Sequence, residues 1–140
     1  MSWFSPSVRR SARKLAAPVA LDRQRTPTDR FRVLVINSGN ANACAGDRGL
    51  ADARQMATMA AAACGVEGAH ALVMSTGVIG EFRPMEKIDL GIRTASKQLG
   101  SSEESLVLGA RGILTTDTVH KLSGRTLGLD GKSIQITGMA

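Results

Sequence analysis

The segment of this sequence best suited to chemistry is a short polar stretch that follows an apolar run. Ser75-Thr76-Gly77 stands at the end of a predicted strand, Ala71–Ser75, and ligands in open α/β sheets bind beyond the carboxyl ends of strands. The hydroxyl of Thr76 and the backbone N–H of Gly77 are adjacent donors with little bulk, which suits stabilisation of an oxyanion. Taken alone, the same residues are more simply explained as a turn in which Gly77 adopts a positive φ.

Two other polar clusters lie at predicted strand ends. Thr115-Thr116-Asp117-Thr118 could bind the charged groups of an amino acid, or could form turns by side-chain bonds to the backbone. Asn37, Asn40 and Asn42 alternate in a glycine-containing loop, which suggests phosphate binding. However, neither G-x-G-x-x-G nor G-K-[ST] is present, so nucleotide binding has only weak support.

No local motif in the sequence provides a nucleophile, a metal or a cofactor. The G-x-S-x-G motif of serine hydrolases is absent. Cys44 and Cys64 are isolated, without C-x-x-C spacing and without a nearby histidine, so neither a zinc site nor a disulfide framework is predicted.

Composition and charge indicate a soluble globular chain of one domain, or most of one. Of the 140 residues, 43% are hydrophobic and 21% are charged. The net charge of +6 lies before residue 33 and is not interleaved with aromatic residues, which argues against a nucleic-acid partner. No apolar run reaches the roughly 20 residues that cross a bilayer, which argues against a membrane.

The chain is predicted to contain two regions of different composition. Residues 1–15 are rich in Ser and Arg and are expected to be a disordered tail, and the same composition is typical of a mitochondrial transit peptide. Residues 16–140 are expected to form a partial domain.

The spacing of apolar residues predicts strands alternating with helices. Extended segments are predicted from short apolar or alternating runs at Ala17–Leu21, Arg32–Ile36, Ala71–Ser75, Leu114–Thr118, Lys121–Leu129 and Lys132–Thr137. The Arg32–Ile36 strand is expected to be buried on both faces, and Asp130-Gly131 predicts a hairpin turn.

Three helices are predicted between these strands. The first begins at an Asp47 N-cap and stops at Gly65, and the second has Pro84 in its first turn and ends at Gly100. The third opens with a capping box formed by Ser101 and Glu104. This order gives an α/β or α+β fold with helices on at least one face of a sheet.

Several motifs, taken together and in order, closely resemble the ornithine acetyltransferase family. They are A-A-P-V (16–19), N-S-G-N-A-N-A-C-A-G (37–46), S-T-G-V-I-G (75–80), P-M-x-x-I (84–88), T-T-D-T (115–118) and G-M-A (138–140). The resemblance covers the chain from about Ala16 to Ala140. Members of this family act as glutamate N-acetyltransferase and amino-acid acetyltransferase in arginine biosynthesis.

The resemblance implies a two-layer sheet sandwiched by helices and a precursor that cuts itself before an internal threonine. That threonine becomes the N-terminal nucleophile of a second chain, taking acetyl from N-acetylornithine and passing it to glutamate without a cofactor. Thr76, through its side chain, and Gly77, through its N–H, match the oxyanion hole of the family, and Thr115 matches a substrate-binding threonine. The complete enzyme would be a hetero-oligomer in the cytoplasm or, alternatively, in the mitochondrial matrix.

The sequence also departs from the family pattern. The nucleophile, a substrate-binding lysine and the second chain would follow Ala140, and the opening strands before A-A-P-V are replaced by the basic tail. The fold is therefore expected to be incomplete at both ends and the chain to be inactive alone. The alternative is a non-enzymatic remnant or binding module that keeps the fold without the chemistry.

Overall fold

A computed structural model of the protein describes residues 15–140. The predicted disordered tail falls on residues 1–14, outside the described residues, and on Leu15. The chain divides into two compact units, Met1–Gln98 and Leu99–Ala140. Within residues 15–140, no helix is both long and apolar enough to span a bilayer.

The first unit is built on a two-stranded parallel sheet. Strand β1 (Val33–Asn37) pairs with β2 (Ala71–Ser75), so that Asn37 lies opposite Ser75 at the carboxyl end. Both strands were predicted from their short apolar runs. The long helix α2 (Gly46–Ala63) lies between them in the chain, as a parallel connection requires.

Helix α2 covers one face of this sheet with small side chains. Ala53, Met56 and Ala57 are completely buried and form the core with Val73 of β2. The alanines permit a close approach of helix to sheet. The opposite face is open, since 43% of the surface of Leu34 is exposed, and the prediction that β1 is buried on both faces is therefore wrong.

The segment predicted as the first strand is a helix instead. Helix α1 comprises Ala17–Asp22, with Pro18 in its first turn and Leu21 buried. A proline at this position is favourable because the first helical N–H groups have no partner within the helix. A run of five small or apolar residues has no readable period, so the surrounding structure decides its conformation.

Helix α1 and the residues after it occupy the outer edge of β2. The two carboxylate oxygens of Asp22 accept hydrogen bonds from the N–H of Val73 at 3.2 and 3.1 Å. The guanidinium of Arg25 donates to the carbonyl oxygen of Ala71. These side chains therefore satisfy backbone groups that a neighbouring strand would otherwise bind.

We expect Asp22 to make the stability of the protein decrease as pH rises. Burial raises the pKa of Asp22 above its ordinary value of 3.8, although the Val73 N–H and Arg25 oppose the shift. A raised folded-state pKa stabilises the fold below the unfolded pKa, and this contribution is lost as pH rises through the folded value. Asp22→Asn keeps an acceptor for Val73 but cannot ionise.

The measurement is chemical unfolding of both proteins at pH values below and above 3.8. The parent chain should lose stability relative to the Asp22→Asn variant as pH increases. A parent chain that gains stability relative to the variant over this range would contradict the expectation.

The first unit contains two of the three predicted helices, and each differs from the prediction at one end or both. Helix α2 begins at Gly46, so Asp47 lies in the first turn and is not the N-cap. Helix α3 (Met85–Ser96) has Pro84 as its N-cap, one position before the predicted first turn, and it ends before Gly100. Leu99, which a helix ending at Gly100 would include, is 73% exposed.

The second unit contains one helix and one hairpin. Helix α4 (Glu103–Gly112) is capped by Ser102, whose hydroxyl accepts a hydrogen bond from the N–H of Ser105 at 3.1 Å. The predicted capping box of Ser101 and Glu104 is therefore wrong by one residue. Residues 114–118, predicted to be extended, form no strand.

The hairpin was predicted correctly. Strands β3 (Leu122–Leu129) and β4 (Lys132–Met139) pair in antiparallel register through Asp130 and Gly131. Both turn residues have positive φ angles, 49° and 74°, as a two-residue type I′ turn requires. The mixture of helices and strands confirms the α/β class.

Candidate active site

The polar segment after β2 runs beside the loop after β1. The N–H of Thr76 donates to the carbonyl oxygen of Asn37 at 3.0 Å, and the N–H of Val78 donates to that of Gly39 at 3.1 Å. The N–H of Ala41 donates in the other direction, to the carbonyl oxygen of Val78 at 2.9 Å. Parallel pairing thus continues beyond the ends of both strands and fixes the backbone around Thr76.

Gly77 is the point of closest approach between these two loops. Its φ angle is 128°, which side-chain-bearing residues rarely adopt. A Cβ atom at this position would lie 2.3 Å from the carbonyl carbon of Gly39 and 2.6 Å from the nitrogen of Asn40. The turn interpretation of Gly77 is therefore correct, and it is compatible with a role for its N–H.

Two donors remain available at this turn. Within residues 15–140, neither the Thr76 hydroxyl nor the Gly77 N–H forms a hydrogen bond. Thr76 is half-buried and Gly77 is exposed. Two adjacent donors on a backbone that is already fixed can stabilise a negatively charged oxygen without reorganising.

The asparagine side chains of the first loop stabilise its conformation by hydrogen bonds with backbone groups. Asn40 donates through Nδ2 to the carbonyl oxygen of Glu81 at 3.0 Å and accepts the N–H of Asn42 at 2.9 Å. Asn42 is 1% exposed and donates to the carbonyl oxygen of Gly49 at 2.8 Å. Because these amide donors serve the protein itself, the loop gives the weak nucleotide-binding hypothesis no support.

Arg83 is buried near the Thr76-Gly77 turn, and the sequence did not predict a role for it. It is 3% exposed, and its Nη1 lies 3.3 Å from Asn37 Oδ1 and 3.2 Å from Ser75 Oγ. Burial lowers the pKa of Arg83, while the carboxylate of Asp52 opposes this effect. A single arginine before Pro84 belongs to no recognisable motif, so no signal in the sequence indicates its burial.

An open cavity of about 480 Å³ lies between the first loop and helix α3. Asn37, Ser38 and Asn40 line its polar side, and Ile88 and Ile92 line its apolar side. Neither Thr76 nor Gly77 belongs to this lining. The cavity is thus separate from the two available donors.

The chain matches the model of the ArgJ family over residues 8–140. The chain belongs to the ArgJ family. This confirms the family resemblance that the ordered motifs predicted.

The chain is also similar in sequence to individual ArgJ proteins. The chain is 44% identical over 125 residues to the arginine biosynthesis bifunctional protein ArgJ of Rhodopirellula baltica, covering 89% of this chain and 30% of that protein. It is 45% identical over 130 residues to the mitochondrial ArgJ protein of Penicillium rubens, covering 89% of this chain and 27% of that protein. The chain therefore spans about a third or less of these relatives.

A solved structure shows the same fold. The crystal structure of ornithine acetyltransferase from Mycobacterium tuberculosis, complexed with ornithine, superposes with a TM-score of 0.81 and 32% identity. The match covers 91% of this chain and 67% of that chain.

Thr115, the other predicted site residue of this ArgJ family member, lies in the second unit. It is exposed in the irregular segment between α4 and β3. The carboxylate of Asp117, in the same cluster, pairs with the ammonium of Lys121 at 2.8 Å. Thr76 and Gly77 belong to the first unit.

The structure shows no metal centre in the part of the chain it describes. No group of three His, Cys, Asp or Glu side chains within residues 15–140 is placed to hold a metal ion. Cys44 is exposed and Cys64 is half-buried, and both are free thiols.

Proposed function

We propose that this chain supplies the oxyanion-stabilising part of an acetyltransferase that moves acetyl from N-acetylornithine to glutamate. The observation that carries the proposal is the pair of available donors at Thr76 and Gly77, held at the carboxyl ends of two parallel strands. The names of the relatives, which refer to arginine biosynthesis and to ornithine acetyltransferase, agree with this chemistry.

In the proposed mechanism, a nucleophile attacks the acetyl carbonyl carbon and its oxygen becomes an oxyanion. The Thr76 hydroxyl and the Gly77 N–H then donate to that oxygen, and the loss of one such donor typically costs about 3 kcal/mol of transition-state stabilisation. Departure of ornithine leaves an acetyl ester on the enzyme. Glutamate attacks this ester in the second half of a ping-pong cycle.

The proposed nucleophile is the N-terminal threonine of a second chain, produced by self-cleavage of a precursor. Its hydroxyl attacks while its free amine acts as the base. Thr115 is proposed to bind the amino-acid substrate. Since the chain spans 30% of its Rhodopirellula relative, the remaining part would supply the nucleophile, and the chain alone is expected to be inactive.

The complete enzyme is proposed to be a hetero-oligomer of the two chains without a cofactor. We propose the cytoplasm as its location, with the mitochondrial matrix as the alternative. The Penicillium rubens relative, which is named mitochondrial, supports the alternative.

Replacing Thr76 tests the oxyanion role. The chain is combined with the remaining part of an ArgJ protein from a close relative, including its second chain, and formation of N-acetylglutamate from N-acetylornithine and glutamate is measured. Thr76→Val removes one donor at nearly constant volume and should lower kcat by roughly 10²–10³, with KM changed far less. Without the second chain, no N-acetylglutamate should form.

Thr115→Val is the matched control, because it removes a hydroxyl by the same substitution in the other unit. It should raise KM more than it lowers kcat. A Thr76→Val enzyme that keeps kcat within about threefold of the parent would show that Thr76 is only a turn residue. If the combined parent chains bind ornithine but transfer no acetyl group, the binding-module alternative is favoured.

A further inference from the structure

We infer that Arg83 is a positioning residue that holds the Thr76-Gly77 turn in place through Asn37 and Ser75. The inference rests on the proposed function for the significance of the turn, but its structural content can be tested without catalysis. Arg83 is buried, charged and outside every motif that the family resemblance used.

Asn37 is the residue through which Arg83 acts on the turn. Its Oδ1 accepts from Arg83 Nη1 at 3.3 Å and from Ser75 Oγ at 2.6 Å. Its Nδ2 donates to the carbonyl oxygen of Asn40 at 2.8 Å, and its own carbonyl oxygen accepts the N–H of Thr76 at 3.0 Å. Through its side chain and its backbone carbonyl, Asn37 thus connects the guanidinium to both loops of the site.

The position of this connection follows from strand register. Asn37 and Ser75 are register partners, and they point to the same face as Val35 and Val73 because side chains alternate along a strand. That face is the one covered by α2. Arg83 packs against this end of the core, since its Nη1 also lies 3.1 Å from the sulfur of Met56.

The burial of the Arg83 charge without full hydrogen bonding lowers the stability of the fold. In the described part of the chain its Nε and Nη2 have no hydrogen-bond partner, and neither does Oδ2 of buried Asp52. Replacing a whole buried ion pair by apolar residues is often neutral or stabilising, whereas removing one partner leaves the other charge unpaired and destabilises the fold. The attraction between Arg83 and Asp52 therefore acts on the whole unit, and the contacts of Nη1 with Asn37 and Ser75 are what Arg83 contributes to the turn.

The test is amide hydrogen exchange of the 140-residue chain, followed residue by residue by NMR. Arg83→Met keeps an unbranched side chain as far as the position of Nε and removes all of its donors. We expect the amides of Thr76 and Val78 to exchange about tenfold faster or more, as for the loss of hydrogen bonds from a charged donor. Arg93→Met is the matched control, because it removes an exposed guanidinium that pairs with Asp89 on α3.

The amide of Val73, which donates to Asp22 at the outer edge of β2, reports destabilisation that is not confined to the turn. In Arg83→Met it should accelerate much less than the amides of Thr76 and Val78, because the unpaired charge left on Asp52 affects the whole unit to the same extent. Ser75→Ala is a second, milder variant that removes one link of the same connection and should also accelerate exchange at Thr76. In the combined enzyme, Arg83→Met should lower kcat more than it raises KM.

Two results would overturn the inference. Parent-like exchange at Thr76 and Val78 in both Arg83→Met and Ser75→Ala would show that backbone pairing alone holds the turn. Equal acceleration at Val73 and Thr76 would show that Arg83 supports the whole unit. If the exchange results are as expected but Thr76→Val has no effect on acetyl transfer, the proposed function fails while the positioning role stands.

Discussion

Replacing Gly77 with alanine should destabilise the first unit by about 4 kcal/mol. A φ angle of 128° is unfavourable for any residue with a Cβ, at a cost of about 1–3 kcal/mol. The added Cβ would also lie 2.3 Å from the carbonyl carbon of Gly39, and overpacking of this kind adds roughly 1–3 kcal/mol. Urea unfolding followed by circular dichroism measures the sum.

Gly80→Ala is the matched control for this substitution. Gly80 also has a positive φ, 88°, but a Cβ there would meet nothing within 4 Å. It should therefore cost only the backbone strain, on the order of 1–2 kcal/mol. Equal costs at the two positions would contradict the close approach between the loops.

Met56→Ala should destabilise the first unit by about 3 kcal/mol. Met56 is among the largest fully buried side chains, and truncating such a residue loses its transfer free energy and leaves a cavity, at a typical cost of 2–5 kcal/mol. The measurement is again the free energy of unfolding in urea.

Met74→Ala provides the comparison, since Met74 lies on the opposite sheet face and is 52% exposed. Its cost should stay below about 1 kcal/mol, because little buried volume is lost. If the two methionine variants were equally stable, α2 would not cover the sheet face that the structure assigns to it.

Much of the fold could be predicted because the relevant signals are local. The apolar runs of β1 and β2 and the turn at Asp130-Gly131 have clear local signatures. The position of the α4 cap was missed by one residue because Ser101 and Ser102 have the same side chain, and only the backbone geometry distinguishes them. The strand predicted at Ala17–Leu21 was wrong because tertiary contacts determine the conformation of so short a run.

The candidate site was predictable only in part. Thr76 and Gly77 could be found because their types, their order and the place after a strand are visible in the sequence. Arg83 could not, because its contacts with Asn37, Met56 and Ser75 join residues that are distant along the chain. Neither its charge nor its spacing distinguishes it from an exposed arginine.

The side-chain contacts of helix α1 and of the turn after it with the outer edge of β2 restrict the side on which the parallel sheet can gain a strand. Asp22 and Arg25 occupy backbone groups of Val73 and Ala71 on that edge, whereas β1 pairs with no strand except β2 among the described residues. An additional strand beside β2 would have to displace these contacts, so a further strand is expected to join beside β1. Growth of this sheet is thus directed to the side of β1, and the residues that set this direction lie in helix α1 and in the turn after it, outside the sheet itself.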